Sequence, residues 1–414
     1  MRPTIGDTIA ARRRRLGVTQ ETLAEITTLS VETIRKLEQN ERTTARLSTL
    51  NRIARALGVS TGDLMGEAAR SAARREPDGD DIGLIAIRQV LTPPRGPAGR
   101  VLDIPETRAL TLGGVCASIR AVDQAYHADD YTSAIAGLPA MVAEATVMIS
   151  TVADPQRPEA LTLLARAYQV AGTALIQLRA FDLAYRALSL GLDAADEAGD
   201  TVTGASVTVT MCWLLMREGR FAETARLAVA TADMIEPRFS RADPVRLATW
   251  GWLLLRGATA VVRDNRDDEA PEMLDAAAAA AVRMGSRATD GTPTTGPASM
   301  GVFGPTTVAM KRVETAVVAG DTGRALRLAE AIPPGGRPTS NNRNRHLLDV
   351  SYAQADQGRY TEATTTLLGI RAHAPLWLRH QRLARDIVGT IAASRRRAVS
   401  QELADLADLV GAPV

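Results

Sequence analysis

The residues best equipped for chemistry lie together at 31–36, in the stretch VETIRK. Val31, Glu32, Thr33, Arg35 and Lys36 combine a branched methyl pair, a carboxylate, a hydroxyl and two cations, while Ile34 and Leu37 fall to one side as apolar anchors. On a helix this makes a polar face that can read base edges. Arg35 or Lys36 can donate to guanine O6 and N7, Glu32 can accept from cytosine N4, and Val31 can pack on a thymine methyl. Arg13, Thr19, Gln20, Ser30, Asn40, Arg42 and Arg46 flank this face and are suited to phosphates. At Gln20 a side-chain amide coincides with a helix start, where free backbone N–H groups favour an anion. Glu38 would be repelled by phosphates and is expected to pair internally.

A second group lies at 341–346, NNRNRH. Asn341, Asn342 and Asn344 can pair with a peptide backbone in both directions, and Arg345 can take a carboxylate bidentately. With Tyr168, Trp252, Arg256, Phe303 and His346 they are the candidate lining of a binding surface. The alternative for 341–346 is a helix start with a solvated face, and tryptophans more often fill a core. Other chemistries find no support. His127, His346, His373 and His380 form no metal-binding spacing, Cys116 and Cys212 read as free thiols, and no glycine-rich phosphate loop follows a strand. Neither an enzyme nor a metal or cofactor is expected.

These residues need elements to hold them. Residues 18–39 read as helix, tight turn, helix, with Thr19 and Ser30 as N-caps and Leu23, Ala24, Leu29, Ile34 and Leu37 as a shared core. Before them, 5–15 is helical, with Ile5, Ile9 and Leu16 facing inward. Its run Arg12 to Arg15 can complement the helix dipole, touch phosphate, or both. After them, 46–57 carries Leu47, Leu50, Ile53, Ala54 and Leu57 at helical spacing, and 60–65 makes a short fifth helix. Eleven of the 49 basic residues and seven of the 47 acidic ones fall in 1–66, so a basic head of net charge +4 sits on a body of −2. Lys36 and Lys311 are the only lysines.

The head resembles the Cro/repressor-type (Xre-family) helix-turn-helix. The residues that carry this are Thr19-Gln20, Leu23-Ala24-Glu25, Leu29-Ser30, Thr33-Ile34 and Leu37-Glu38, continuing into 46–50 and 53–60. The resemblance covers about the first 65 residues and implies that Val31, Glu32 and Lys36 occupy base-facing slots in a major groove. It also implies a homodimer on an inverted-repeat operator. Thr28 stands where the family usually has Gly. A β-branched residue at positive φ is costly, so the turn either takes another geometry or carries strain.

Residues 67–105 are expected to be a linker with an amphipathic helix at 82–91, which Pro93-Pro94 would end. From 106 to 414 a pattern recurs: a small or turn residue, an aromatic two on, alanine five on. Gly358-Tyr360-Ala363 fits fully. Gly219-Phe221-Thr224, Arg179-Phe181-Ala184, Asp129-Tyr131-Ala134, Gly320-Ala325 and Asn265-Ala270 fit in part. The reference positions 131, 181, 221, 267, 322 and 360 are spaced by 50, 40, 46, 55 and 38 residues. These resemble tetratricopeptide repeats with longer loops or helices than the basic period, and 286–305 reads as an inserted Gly/Pro/Thr-rich loop. Stacked helical hairpins of this kind form a superhelix with a concave face. A head and body so joined resemble actinobacterial regulators and peptide-sensing quorum regulators.

The expected protein is therefore all-α: a five-helix DNA-binding domain at 1–66, a linker at 67–105, and a repeat domain at 106–414 for sensing and dimerisation. Its expected partners are operator duplex, a peptide or small-molecule effector and a second copy. The alternative is a DNA-tethered adaptor whose repeats bind a partner protein. Apolar stretches such as 207–216 and 247–262 are too short or carry Arg256, so no membrane partner and a cytoplasmic location are expected.

Overall fold

The computed structural model describes residues 4–41, 45, 47–59, 64, 81–94, 97, 110–284, 302–333, 338–394 and 400–412, and every regular element among them is helical. The head begins with α1 (Ile5–Arg15), α2 (Gln20–Thr27), α3 (Val31–Glu38) and α4 (Leu47–Ala56). Thr4 and Asp7 form a reciprocal capping box on α1. The hydroxyls of Thr19 and Ser30 accept from Thr22 N and Thr33 N at 3.1 and 3.2 Å. Ile9, Leu23, Ala24, Ile34, Leu37, Ile53, Ala54, Leu57 and Leu64 form one buried cluster. Gly6 lets α1 cross tightly over the end of α3, since a Cβ there would lie 2.0 Å from the Leu37 carbonyl oxygen. Of the fifth helix at 60–65, only Leu64 lies within the described residues, and it is fully buried.

Two head positions answer questions left open by the sequence. Leu16 is exposed rather than inward, because α1 ends at Arg15 and Gly17, at φ 68°, turns the chain away. Thr28 does adopt the left-handed conformation, at φ 50° and ψ 37°. The turn keeps its geometry, with Leu29 N donating to Ala24 O at 3.0 Å, and Thr28 bears the strain that Gly would avoid.

The next helix, α5 (Asp81–Leu91), buries Ile87 and Leu91 in the same cluster as the first hairpins of the body. Six helical hairpins follow. They are α6 (Leu112–His127) with α7 (Tyr131–Thr151), α8 (Arg157–Gln177) with α9 (Phe181–Glu197), and α10 (Thr201–Arg217) with α11 (Phe221–Met234). Then come α12 (Pro244–Arg263) with α13 (Ala270–Met284), α14 (Pro305–Val318) with α15 (Thr322–Glu330), and α16 (Ser340–Asp356) with α17 (Tyr360–His373). The first helices of successive hairpins touch one another in order and make a continuous layer. Short α18 (Pro375–Arg379), α19 (Arg382–Ser394) and α20 (Gln401–Val410) cover the last hairpin.

The repeated sequence motif is the hairpin turn. Asp129, Arg179, Gly219, Asn265, Gly320 and Gly358 all have φ between 62° and 85°. The residue after each donates its N–H back across the helix end, as from Asp130 to Ala125 O at 3.0 Å and from Arg359 to Gln354 O at 2.8 Å. Five residues past each left-handed position, Ala134, Ala184, Thr224, Ala270, Ala325 and Ala363 are buried at the hairpin crossing. The small side chain there lets the paired helices close.

Among the described residues one helix, α7, is long and apolar enough to cross a membrane. It is packed inside the stack, with Leu138, Met141 and Val142 wholly buried. The 286–305 insertion lies outside the described residues except for its last few. Of these, Phe303 wedges into a notch that Gly251 leaves open on α12.

Two long-range contacts shape the whole. Tyr131 of the first hairpin donates its hydroxyl to Asn341 Oδ1 of the sixth at 3.0 Å, and Ser340 donates to His127 O at 2.9 Å. The superhelix thus closes on itself. The head docks on the edge made by the turns of the fourth and fifth hairpins. There Asn51 donates to Val318 O at 3.0 Å, Asn265 donates to Val59 O at 3.4 Å, and Arg55 pairs with Asp267.

Candidate nucleic-acid interface and repeat-domain cleft

The face expected to read DNA stands on α3, fixed by its buried anchors Ile34 and Leu37 and by the Ser30 cap. Val31, Glu32 and Lys36 are exposed and Thr33 and Arg35 are half-buried. Exposure of Val31 at 40% is notable for an apolar residue and leaves its methyls available. Glu32 is gripped by both cations: Arg35 Nε and Nη2 donate to it at 2.8 and 2.7 Å, and Lys36 Nζ lies at 3.3 Å. The Arg35 hydrogen bonds hold its carboxyl down at about 2. Arg35 also donates to Gln39 Oε1 at 2.5 Å. The charged groups of the free face are therefore engaged with one another, and binding a base would exchange an internal partner for an external one.

Several residues expected at phosphates are engaged inside the head. Arg13 donates to both oxygens of Glu38, at 2.6 and 2.8 Å, and to Val18 O at 2.8 Å. Gln20 Nε2 donates to Glu38 Oε2 at 2.7 Å. The Arg13 and Glu38 side chains are only 12% and 4% exposed. Burial alone would raise the Glu38 pKa; the hydrogen bonds from Arg13 and Gln20 outweigh it and hold the carboxyl below its usual range. Arg13 and Gln20 thus tie α1, α2 and α3 together. Asn40, at φ 59°, accepts from the Thr4 hydroxyl at 2.5 Å and donates to Asp7 at 3.3 Å. Thr19 and Ser30 are exposed caps. Arg42 and Arg46 lie outside the described residues.

The repeat-domain candidates separate into two sets. Tyr168 is in the core, its hydroxyl 3.4 Å from that of Thr146. Phe303 is 3% exposed and packs on Trp252, with ring centroids 6.3 Å apart. Asn341 and Asn344 are structural: Asn341 accepts from Tyr131, and Asn344 Oδ1 accepts from His373 Nε2 at 2.8 Å. Each of the four is held by burial or by a fixed protein partner.

Asn342, Arg345 and His346 do come together. With Thr307, Met310, Lys311, Glu314 and Asp349 they line a small cleft between α14 and α16, with room for about one water-sized group. Glu314 is its hub. Lys311 Nζ lies 2.6 Å from it, Arg263 3.1 Å and Arg345 3.9 Å. Burial opposes the charge on Glu314, and the three cations overcome that and hold its pKa well below normal. Arg345 also pairs with Asp349 at 3.0 Å. Burial keeps His346 neutral, with its pKa pushed down to about 4. Arg256 lies beside the cluster, its guanidinium 5.4 Å from the Trp252 ring and 6.0 Å from that of Trp213. Lys311, Glu314 and Arg263 were missed in the sequence. The available signal was Lys311 itself, a lysine in an arginine-rich chain, set three residues before an acid amid Val308, Val313 and Val317.

Residues 9–64 match the family model described as helix-turn-helix. The head is a Cro/repressor-type helix-turn-helix domain. Its α2 and α3 are the two helices of the motif. No curated relative matches the chain. Among solved structures, the apo form of ComR from S. thermophilus is similar at 13% identity, over 80% of this chain and 94% of that one, with a TM-score of 0.25. At that level nothing is transferred from it. The helix-turn-helix head supports reading the chain as a DNA-binding transcription regulator, a non-enzymatic class.

Proposed function

We propose that this regulator reads an inverted-repeat operator as a homodimer through Val31, Glu32, Thr33, Arg35 and Lys36, with Thr19, Ser30, Arg42 and Arg46 at phosphates. In this reading its repeat domain senses a peptide or small-molecule effector. The observation that carries the DNA part is the exposed α3 face, which no contact with the body covers among the described residues. The head–body contacts come instead from α4 and Val59. Lys36→Ala is expected to relax base preference at one position and cost about 1–3 kcal/mol. The test is competitive binding to an inverted repeat selected from random duplex. Unchanged preference in the variant would remove Lys36 from the reading face.

The sensing part is supported by the closed superhelix and its polar cleft. The head rests on two hairpin turns, so an effector that favours one packing of the hairpins would also favour one placement of the head. Operator affinity then shifts with the effector's differential affinity for the two states. Operator binding titrated with cell extract, before and after protease treatment, separates a peptide effector from another small molecule. No response to any extract would leave a ligand-independent regulator or a protein adaptor.

A further inference from the structure

The two cations of the α3 face are engaged to very different degrees. Arg35 Nε and Nη2 donate to Glu32 Oε2 and Oε1 at 2.8 and 2.7 Å, a bidentate fork on one carboxylate. Its Nη1 donates to Gln39 Oε1 at 2.5 Å and to Glu41 Oε1 at 3.3 Å. The guanidinium thus forms a strut from the first turn of α3 to beyond its last residue. Lys36 Nζ has a looser partner, Glu32 Oε1 at 3.3 Å.

These four hydrogen bonds use all three nitrogens of the Arg35 guanidinium. Arginine reads guanine with two donors side by side, on O6 and N7. Arg35 could do so only by giving up one end of the strut. Releasing Glu32 would leave a carboxylate without its fork in a groove bordered by phosphates, where like charges repel.

Glu32 is differently placed. A carboxylate has about four acceptor positions. Arg35 takes one on each oxygen and Lys36 a second on Oε1, so Oε2 keeps a position open. The Glu32 side chain is 54% exposed against 35% for Arg35, so the carboxylate is the more accessible of the pair. With its pKa held down at about 2, it is ionised and accepts across the ordinary pH range. A carboxylate already fixed by a fork has little rotamer freedom left to lose when it meets a base.

We infer that Arg35 is a positioning residue rather than a base reader: it fixes the Glu32 carboxylate so that Oε2 can accept from cytosine N4. This rests on the DNA reading above and changes the part that Arg35 plays in it.

The test uses the full chain. The parent selects duplexes from a random pool. Affinity is then measured, at two salt concentrations, for the preferred duplex and for its single-base-pair substitutions. The same set is measured with Glu32→Ala, Arg35→Gln, Arg35→Lys and the double variant of Glu32→Ala with Arg35→Gln. Glu32→Ala is expected to abolish a cytosine preference at one position, a loss of about tenfold in discrimination. Arg35→Gln should abolish the preference at that same position, and the double variant should lose no more than either single one. Arg35→Lys keeps the charge without the fork. It should restore overall affinity while the cytosine preference stays weakened.

Three results for Arg35→Gln overturn the assignment. Loss of a guanine preference at another position, with the cytosine preference kept, makes Arg35 a base reader. Equal weakening of every duplex, with a salt slope smaller by about one, makes it a phosphate contact. No change makes it a bystander. If Arg35→Gln does not fold, Arg35→Lys carries the comparison, and a cytosine preference equal to the parent's overturns the assignment. The DNA reading fails separately. If the parent selects sequences but Glu32→Ala alters no base preference, the DNA reading stands and positioning falls. If the parent selects no sequence, the DNA reading falls and positioning with it.

Discussion

Thr28 shows how one side chain can be wrong for its backbone and still be held. Its left-handed conformation costs about 1–2 kcal/mol for a residue with a Cβ, and part of that returns through its hydroxyl, which donates to Thr27 O at 2.7 Å and accepts from Arg52 at 3.2 Å. Thr28→Gly is expected to stabilise the head by about 0.5–1 kcal/mol, the relief being partly offset by the greater freedom of Gly in the unfolded chain. Denaturant titration of the parent and variant reads this directly. The misfit was visible in the sequence because a turn of this length demands a positive φ. Its resolution was not, because Arg52 comes from another helix.

Two buried titrating groups give opposite pH signatures. The folded pKa of His346, about 4, lies below its unfolded value near 6.5. Its contribution is fully present above pH 6.5 and is lost as pH falls toward 4. Asp123 is the reverse: its folded pKa of about 7 exceeds the unfolded 3.8, so stability falls as pH rises from 4 to 7. His346→Gln should flatten the acid limb, and Asp123→Asn should remove the loss toward neutral pH. The effects are about 3 kcal/mol for His346 and about 4 kcal/mol for Asp123 across their windows. Thermal melts from pH 4 to 8 check both, and parallel profiles for parent and variants would contradict the assignments.

At the scale of the element, the hairpin turn is where the sequence spoke most clearly. The pattern read as turn residue, aromatic, alanine resolves into a left-handed helix end, the start of the next helix, and the crossing point. Asp129, Arg179 and Asn265 hold the left-handed slot without being Gly, which is why the motif looked degenerate. The crossing residue tolerates no extra volume: Ala184 is wholly buried where α9 meets α8. Ala184→Leu should cost about 1–3 kcal/mol by overpacking, seen as a lower melting midpoint for the body. An unchanged midpoint would mean that the crossing has slack. What the sequence concealed is pairing across distance. Phe303 looked like part of a ligand-lining surface because its receiving notch at Gly251 lies far earlier in the chain. The NNRNRH stretch looked like a ligand surface because Tyr131 and His373, which use two of its asparagines, belong to other hairpins.

At the scale of the molecule, closure and docking were the least legible features. Closure depends on the summed rotation between six hairpins, and no single residue encodes that sum. Docking of the head rests on a few polar contacts at a surface edge. Arg55 and Asp267 are both exposed, so their ion pair contributes little, and the Asn51 and Asn265 hydrogen bonds add modestly. A weakly held head can be released by small changes. Asn51→Ala combined with Arg55→Ala should undock it, raising the radius of gyration in small-angle scattering while far-ultraviolet dichroism stays constant. An unchanged radius would show that other contacts hold the head in place.

The rarity of lysine has a practical corollary. Lys36 stands exposed on the reading face, and Lys311 is enclosed against Glu314. Apart from the α-amino group, an amine-acylating reagent meets one accessible side chain in the whole folded chain. A single mass increment then counts free reading faces, and its suppression by duplex reports occupancy of the groove without any engineered label.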